Sequence, residues 1–197
     1  MRFIIWLVAS AMVASAARAQ APANVPVIKV SPTGSVNQFA VKASVPIQGT
    51  FEKWDASLTF TSNHVEDGVL DIKIQAASVN TGSRMKDDKL KGKDFFNADQ
   101  DPYITFRSTK IVQTGPFAFD LPGTFTIRGV SKPETLHFTG KGDSGRRHAE
   151  VKGTMAFDRQ QFGMNSYIPF IRIADRVEVN VDLNVERVSG PPLIFKP

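Results

Sequence analysis

Apolar and polar residues alternate along most of this chain. Residues 177–188 read VEVNVDLNVERV, with Val177, Val179, Val181, Leu183 and Val185 in one set and Glu178, Asn180, Asp182, Asn184 and Glu186 in the other. Successive side chains on a strand point to opposite faces, so this run predicts a strand with one apolar and one solvated face. The same period places inward Phe39 and Val41, Leu58 and Phe60, and Leu70, Ile72 and Ile74. Further along it places inward Ile104 and Phe106, Phe125 and Ile127, Leu136 and Phe138, and Val151, Gly153, Met155 and Phe157. Turn signals fall at residues 66–68 (EDG), 121–123 (LPG) and 140–147 (GKGDSGRR). No long amphipathic helical pattern supports crossovers, so the strands are expected to pair antiparallel. About eight such strands make an all-β sandwich or barrel.

One stretch breaks the alternation. RMKDDKLKGKDFF, residues 84–96, is charged and helix-like and ends on two adjacent phenylalanines. Its pattern predicts a two-turn helix from about Arg84 to Lys91, capped by Ser83 and ended by Gly92. Met85 and Leu90 are expected to face inward, with Phe95 and Phe96 anchoring the return.

Composition sharpens the picture of the apolar face. The chain has fifteen Phe but only two Tyr and two Trp. An interior built from Phe lacks the polar handle that Tyr and Trp provide. Such a face either fills a core or lines a cavity for something long and apolar; periodicity alone leaves both open.

The ends differ from the middle. Met1-Arg2, an apolar run and Ala17-Arg18-Ala19 have the form of a cleavable secretory signal, predicting cleavage after Ala19, with Ala16 as the alternative. The apolar run is short for a membrane span. Residues 20–26 then form a loose leader, 27–188 the barrel domain and 189–197 a Pro-rich surface tail. Losing Arg2 and Arg18 takes the net charge from +5 to +3. The remaining basic residues are scattered among turns rather than striped with aromatics, which argues against nucleic-acid binding. With no cysteine, disulfides, thiolate metal sites and thiol redox chemistry are excluded.

Catalytic patterns are sparse. His64, His137 and His148 share no metal-ligand spacing, so no metal is expected. Ser83-Arg84-Met85-Lys86 matches S-x-x-K, but the companion motifs of serine acyl enzymes are missing. The clustered Asp87, Asp88, Asp94, Asp99 and Asp101 read as solvated acids. No catalytic residue is assigned and no cofactor is expected.

Three ordered blocks do carry a resemblance. SVNTGSRMKDDKLKGKDFFNADQDPYITFRST contains Ser78, Thr81, Leu90, Asp94-Phe95-Phe96, Pro102 and Phe106-Arg107-Ser108-Thr109. It resembles the signature of the YceI family of periplasmic lipid-binding proteins. GTFTIRGVSKPETL (residues 123–136) and GTFEKWDASLTF (residues 49–60) resemble two further family blocks. FDRQQFGMNSY, with Phe162, resembles the turn before the family's last strand. The similarity runs over roughly residues 27–188. Where the family often carries histidines, this chain has FAVKA in its first strand and Lys86-Asp87-Asp88-Lys89-Leu90 in the helix, so the resemblance implies a head group oriented by Lys or not at all.

The resemblance implies an extended, lipocalin-like, eight-stranded antiparallel barrel with one elongated pocket for a polyisoprenoid, an isoprenoid quinone or a similar amphiphile. The helix and double Phe would form a lid over one mouth. The implied pocket residues are Phe39, Val41, Phe60, Leu70, Ile72, Ile74, Met85, Leu90, Phe95, Phe96, Ile104, Phe106, Phe125, Ile127, Phe138, Met155, Phe157 and Phe162. The expected role is a periplasmic, non-enzymatic carrier or sequestering protein. Its partner is a hydrophobic lipid, and transient membrane-surface contact and a homodimer are both compatible with it. Two alternatives stand beside it. One is an enzyme or redox partner acting on a bound quinone through Lys86, Asp87 or Lys89; the other is a structural stress protein with a filled core.

Overall fold

Each alternating run forms a strand in the structure, a computed structural model that describes residues 25–44, 46–141, 147–165 and 172–196. The expected signal peptide, its cleavage site and most of the leader lie outside these residues. In chain order the strands are β1 (Val27–Ala43), β2 (Ile47–Phe51), β3 (Trp54–Phe60), β4 (Gly68–Gln75) and β5 (Val79–Asn80). One helix, α1 (Arg84–Lys91), separates them from β6 (Tyr103–Ser108), β7 (Val112–Gly115), β8 (Ala118–Ile127), β9 (Val130–Lys141), β10 (His148–Asp158) and β11 (Ile173–Ser189).

Eight strands, in the order β1-β11-β10-β9-β8-β6-β4-β3, close into an antiparallel barrel because β11 pairs along β1 and β3 meets β1 at Ile28–Leu58. These are the eight strands that alternation predicts. The short strands β2 and β5 extend from the second half of β1, and β7 pairs with β8.

Two features of the strands were not legible as such. The LPG signal at residues 121–123 is no turn: β8 runs straight through it. Pro122 and Gly123 lie where β8 exchanges β7, paired up to Asp120, for β6, paired from Gly123. Gly123 is needed there, because an added Cβ would meet the Arg107 carbonyl oxygen at 2.4 Å. The second feature is a bulge in β1. Residues 32–35 are extruded between Ser31, opposite Asn184, and Val36, opposite Asp182. The Ser35 hydroxyl ties it down, accepting from the Asn184 N–H at 2.8 Å and donating to the Ser31 carbonyl at 2.5 Å. The bulge reverses the inward parity, so buried Val30 precedes it and buried Asn37 and Phe39 follow it.

The barrel has two unlike ends. One holds Leu70, Phe106, Leu121, Leu136, Phe138 and Leu183, all buried. The C-terminal segment docks there: the Phe195 ring lies 6.0 Å from Phe119, and Lys196 pairs with Glu66 at 2.6 Å. The other end, at the C-terminal ends of β8 and β10 and the start of β11, is where the helix and the double Phe sit.

Candidate functional site: an apolar cavity behind the helix

The helix occupies the residues its pattern predicts, but its anchoring differs. Ser83 stands at the cap position without a side-chain cap bond. Asp87 turns back instead, accepting from the Thr81 N–H at 2.8 Å and the Thr81 hydroxyl at 2.6 Å. Met85 does not face the barrel. It is 84% exposed, while Leu90 is 7% exposed. Five residues at 100° each separate the two by 140° around the axis, so one helix face cannot bury both.

After the helix the chain is clamped from across the barrel mouth. Arg128 and Gly129 form a two-residue β8–β9 hairpin with φ of 55° and 70°, the combination of a type I′ turn. The Arg128 guanidinium donates to the Lys93 carbonyl at 2.9 Å and to the Gly163 carbonyl. It thereby ties the loop that carries Phe95 and Phe96 to the turn that follows Phe162. Lys89 and Asp94 close the loop on itself with a 2.7 Å ion pair, which holds the exposed Asp94 carboxyl below its ordinary value of 3.8.

Two groups of three phenylalanines result. Phe39, Phe51 and Phe96 lie with ring centroids 5.5–6.1 Å apart, and Phe125, Phe157 and Phe162 with centroids 5.0–5.4 Å apart. Between them lies a cavity of about 70 Å³ whose accessible wall is apolar. Of the pocket residues implied by the sequence, it brings together Phe39, Val41, Ile74, Leu90, Phe95, Phe96, Ile104, Phe125, Ile127 and Phe157. Leu70, Ile72, Phe106, Phe138 and Met155 are buried but lie off its wall, as do half-buried Phe60 and exposed Met85. Phe162 is fully buried behind its two aromatic partners. The elongated pocket expected from the resemblance is therefore a short cavity confined to the helix-side half, because large side chains fill the other half.

The wall also has residues outside the set implied by the resemblance. Phe51 and Ile47 come from β2, Met164 from the turn after β10, and Ile173, Val177 and Val179 from β11. Two more are polar. Arg159 is 7% exposed; its Nε donates to the Ala174 carbonyl at 3.1 Å, Nη2 to Asp175 at 2.9 Å and to the Ile173 carbonyl at 3.4 Å, and Nη1 to the Met164 carbonyl. Asn37 is 2% exposed, and neither its Oδ1 nor its Nδ2 has a hydrogen-bond partner among the described residues. A buried amide left so costs about 1–3 kcal/mol. Asn37 was within reach of the pattern, since one more step of two back from Val41 and Phe39 lands on it.

The groups considered for chemistry lie elsewhere. Lys86, Asp87 and Lys89 are absent from the cavity wall. His137 pairs with Asp120 at 2.7 Å on the outer face, and His148 lies 3.7 Å from Glu186. Among the described residues no three His, Asp or Glu side chains gather as metal ligands. An open groove of about 620 Å³ crosses the outside of β8–β11 past Glu134, His137 and Arg176. Partial burial pushes the Glu134 carboxyl up.

Comparison with known proteins gives one consistent result. Residues 28–185 match the YceI-like domain. A UPF0312 protein of Pseudomonas savastanoi pv. phaseolicola is 29% identical over 147 residues, 73% of this chain and 74% of that protein. The crystal structure of Burkholderia cenocepacia BcnA superposes with a TM-score of 0.71 at 25% identity, covering 79% of this chain and 99% of that one. A polyisoprenoid binding domain from Saccharophagus degradans, implicated in plant cell wall breakdown, shares the fold. Its TM-score is 0.62 at 13% identity, over 82% of this chain and 99% of that one.

Proposed function

Because the chain belongs to the YceI-like domain family, we propose that it binds one long apolar ligand, a polyisoprenoid, isoprenoid quinone or similar amphiphile, inside the helix-side half of its barrel. The observation that carries this reading is the apolar cavity between the two phenylalanine groups. The fold shared with a polyisoprenoid binding domain supports the ligand class. Burial of a prenyl chain contributes roughly 0.8 kcal/mol per CH₂, offset in part by the freedom the chain loses. The protein acts by holding its ligand rather than by transforming it, as a carrier or store in the periplasm that exchanges cargo at a membrane surface.

The cavity is small for that task. About 70 Å³ compares with the roughly 300–1,000 Å³ of ordinary ligand pockets. In this reading the ligand enters as Phe96, Met164 and Leu90 swing aside, Met164 being the most adaptable of them. The size favours a second reading, a barrel with a filled core and no ligand. Thermal unfolding of the lipid-stripped protein with and without a prenyl alcohol or a short-chain isoprenoid quinone separates the two. Binding at a hundredfold excess over Kd stabilises by about 2.7 kcal/mol and raises Tm. The same Tm with every ligand would favour the filled core.

A further inference from the structure

We propose that Asn37 is a hydrogen-bonding subsite within the apolar cavity, taking a neutral hydroxyl, carbonyl or amide group of the bound amphiphile. The inference rests on the lipid-binding reading and deepens it. Asn37 follows Phe39 and Val41 in the inward parity, belongs to the cavity lining and is 2% exposed. Its amide is covered in the closed cavity, whose accessible wall is apolar, and in this proposal meets a ligand once the wall opens to admit one. Its carboxamide offers two N–H donors and an acceptor oxygen, and none of them is used within the described residues. Its cross-strand neighbour is Val181, which has no polar side-chain atom to offer.

The neutral class follows from the charged residue in the lining, Arg159. Arg159 spends its guanidinium on three carbonyls and on Asp175, so its charge is already paired. An anionic group beside Asn37 would be a buried charge without a free counter-charge, which is costly. Water is a poor occupant. The cavity has room for one or two at about 30 Å³ each, but a buried water needs two to four polar partners, and the accessible wall of the closed cavity is apolar. A polar atom carried on an apolar tail is held in place by the tail and needs only the amide.

The test uses three probes of one prenyl skeleton: farnesol, the hydrocarbon β-farnesene and farnesyl phosphate. Each is titrated calorimetrically into the lipid-stripped protein. Wild type is expected to bind farnesol about three- to tenfold more tightly than farnesene, the worth of one buried neutral hydrogen bond, and more tightly than the phosphate. Asn37→Leu should remove the preference for farnesol, leave farnesene affinity equal or higher, and raise Tm by deleting an unpaired amide. If the leucine variant does not fold, Asn37→Ala is read for the same preference. A preference that survives these variants, or wild type binding farnesol and farnesene alike, overturns the subsite and leaves lipid binding standing. Phosphate binding as tight as farnesol overturns the neutral class. Failure of wild type to bind any probe removes the lipid-binding reading, and the subsite with it.

Discussion

Phe96 touches both Phe39, edge-on at 6.1 Å, and Phe51 at 5.6 Å, while its own exposure is 7%. Truncation of such a ring typically costs about 3–5 kcal/mol. Phe96→Ala is therefore expected to lower stability by that order in chemical denaturation. It should also lower lipid retained per folded molecule, measured where circular dichroism reports an intact fold. Normal retention at reduced stability would make the ring a core plug only. Met85→Ala, on the solvated side of the same helix, should change stability by less than about 0.5 kcal/mol. The contrast shows what the sequence could convey at this scale. Alternation assigns a face but not a depth along the barrel, so Phe106 and Phe138 look the same as Phe125 in the pattern, though only Phe125 reaches the cavity. Asn37 obeys the alternation although its residue type suggests a wet face. Met85 is apolar yet solvated, because helical geometry turns it away from the face that buries Leu90.

Among the elements, α1 and its loop carry the most specific arrangement. The helix bounds follow from Ser83, the charged run and Gly92, whereas the contacts that hold it come from far away in sequence. Arg128 reaches Lys93 across 35 residues, and no local pattern encodes that. Nor does local pattern separate a turn from a change of strand partner, as Pro122-Gly123 illustrates. The Lys89–Asp94 pair gives the loop a measurable handle. Hydrogen bonding and charge from Lys89 hold the Asp94 carboxyl below 3.8 in the folded protein. A depressed folded value means that the pair helps the loop above the ordinary carboxylate pKa. That help is lost as pH falls through the lower, folded one. Lys89→Met should return the Asp94 titration, followed by carboxyl carbon NMR, toward 3.8; an unchanged midpoint would show that Lys89 is not the cause.

At the scale of the molecule, a closed barrel filled at its tail-docked end and hollow behind its helix accounts for a chain rich in Phe and poor in Tyr and Trp. The eight strands and their inward faces were legible because the period of two runs through nearly all of them. The division into filled and hollow halves was not, since it depends on which rings meet across the barrel. The proposed export makes its own prediction: protein recovered from the periplasm should begin at Gln20 by intact mass, and retention of Met1 would contradict it. The most direct test of the central claim is native mass spectrometry of the protein purified without detergent, followed by organic extraction of the same sample. The account predicts a mass excess corresponding to one apolar amphiphile per chain, lost on extraction and identified in the organic phase. A single species at the mass of the bare polypeptide, unchanged after incubation with prenyl lipids, would contradict it.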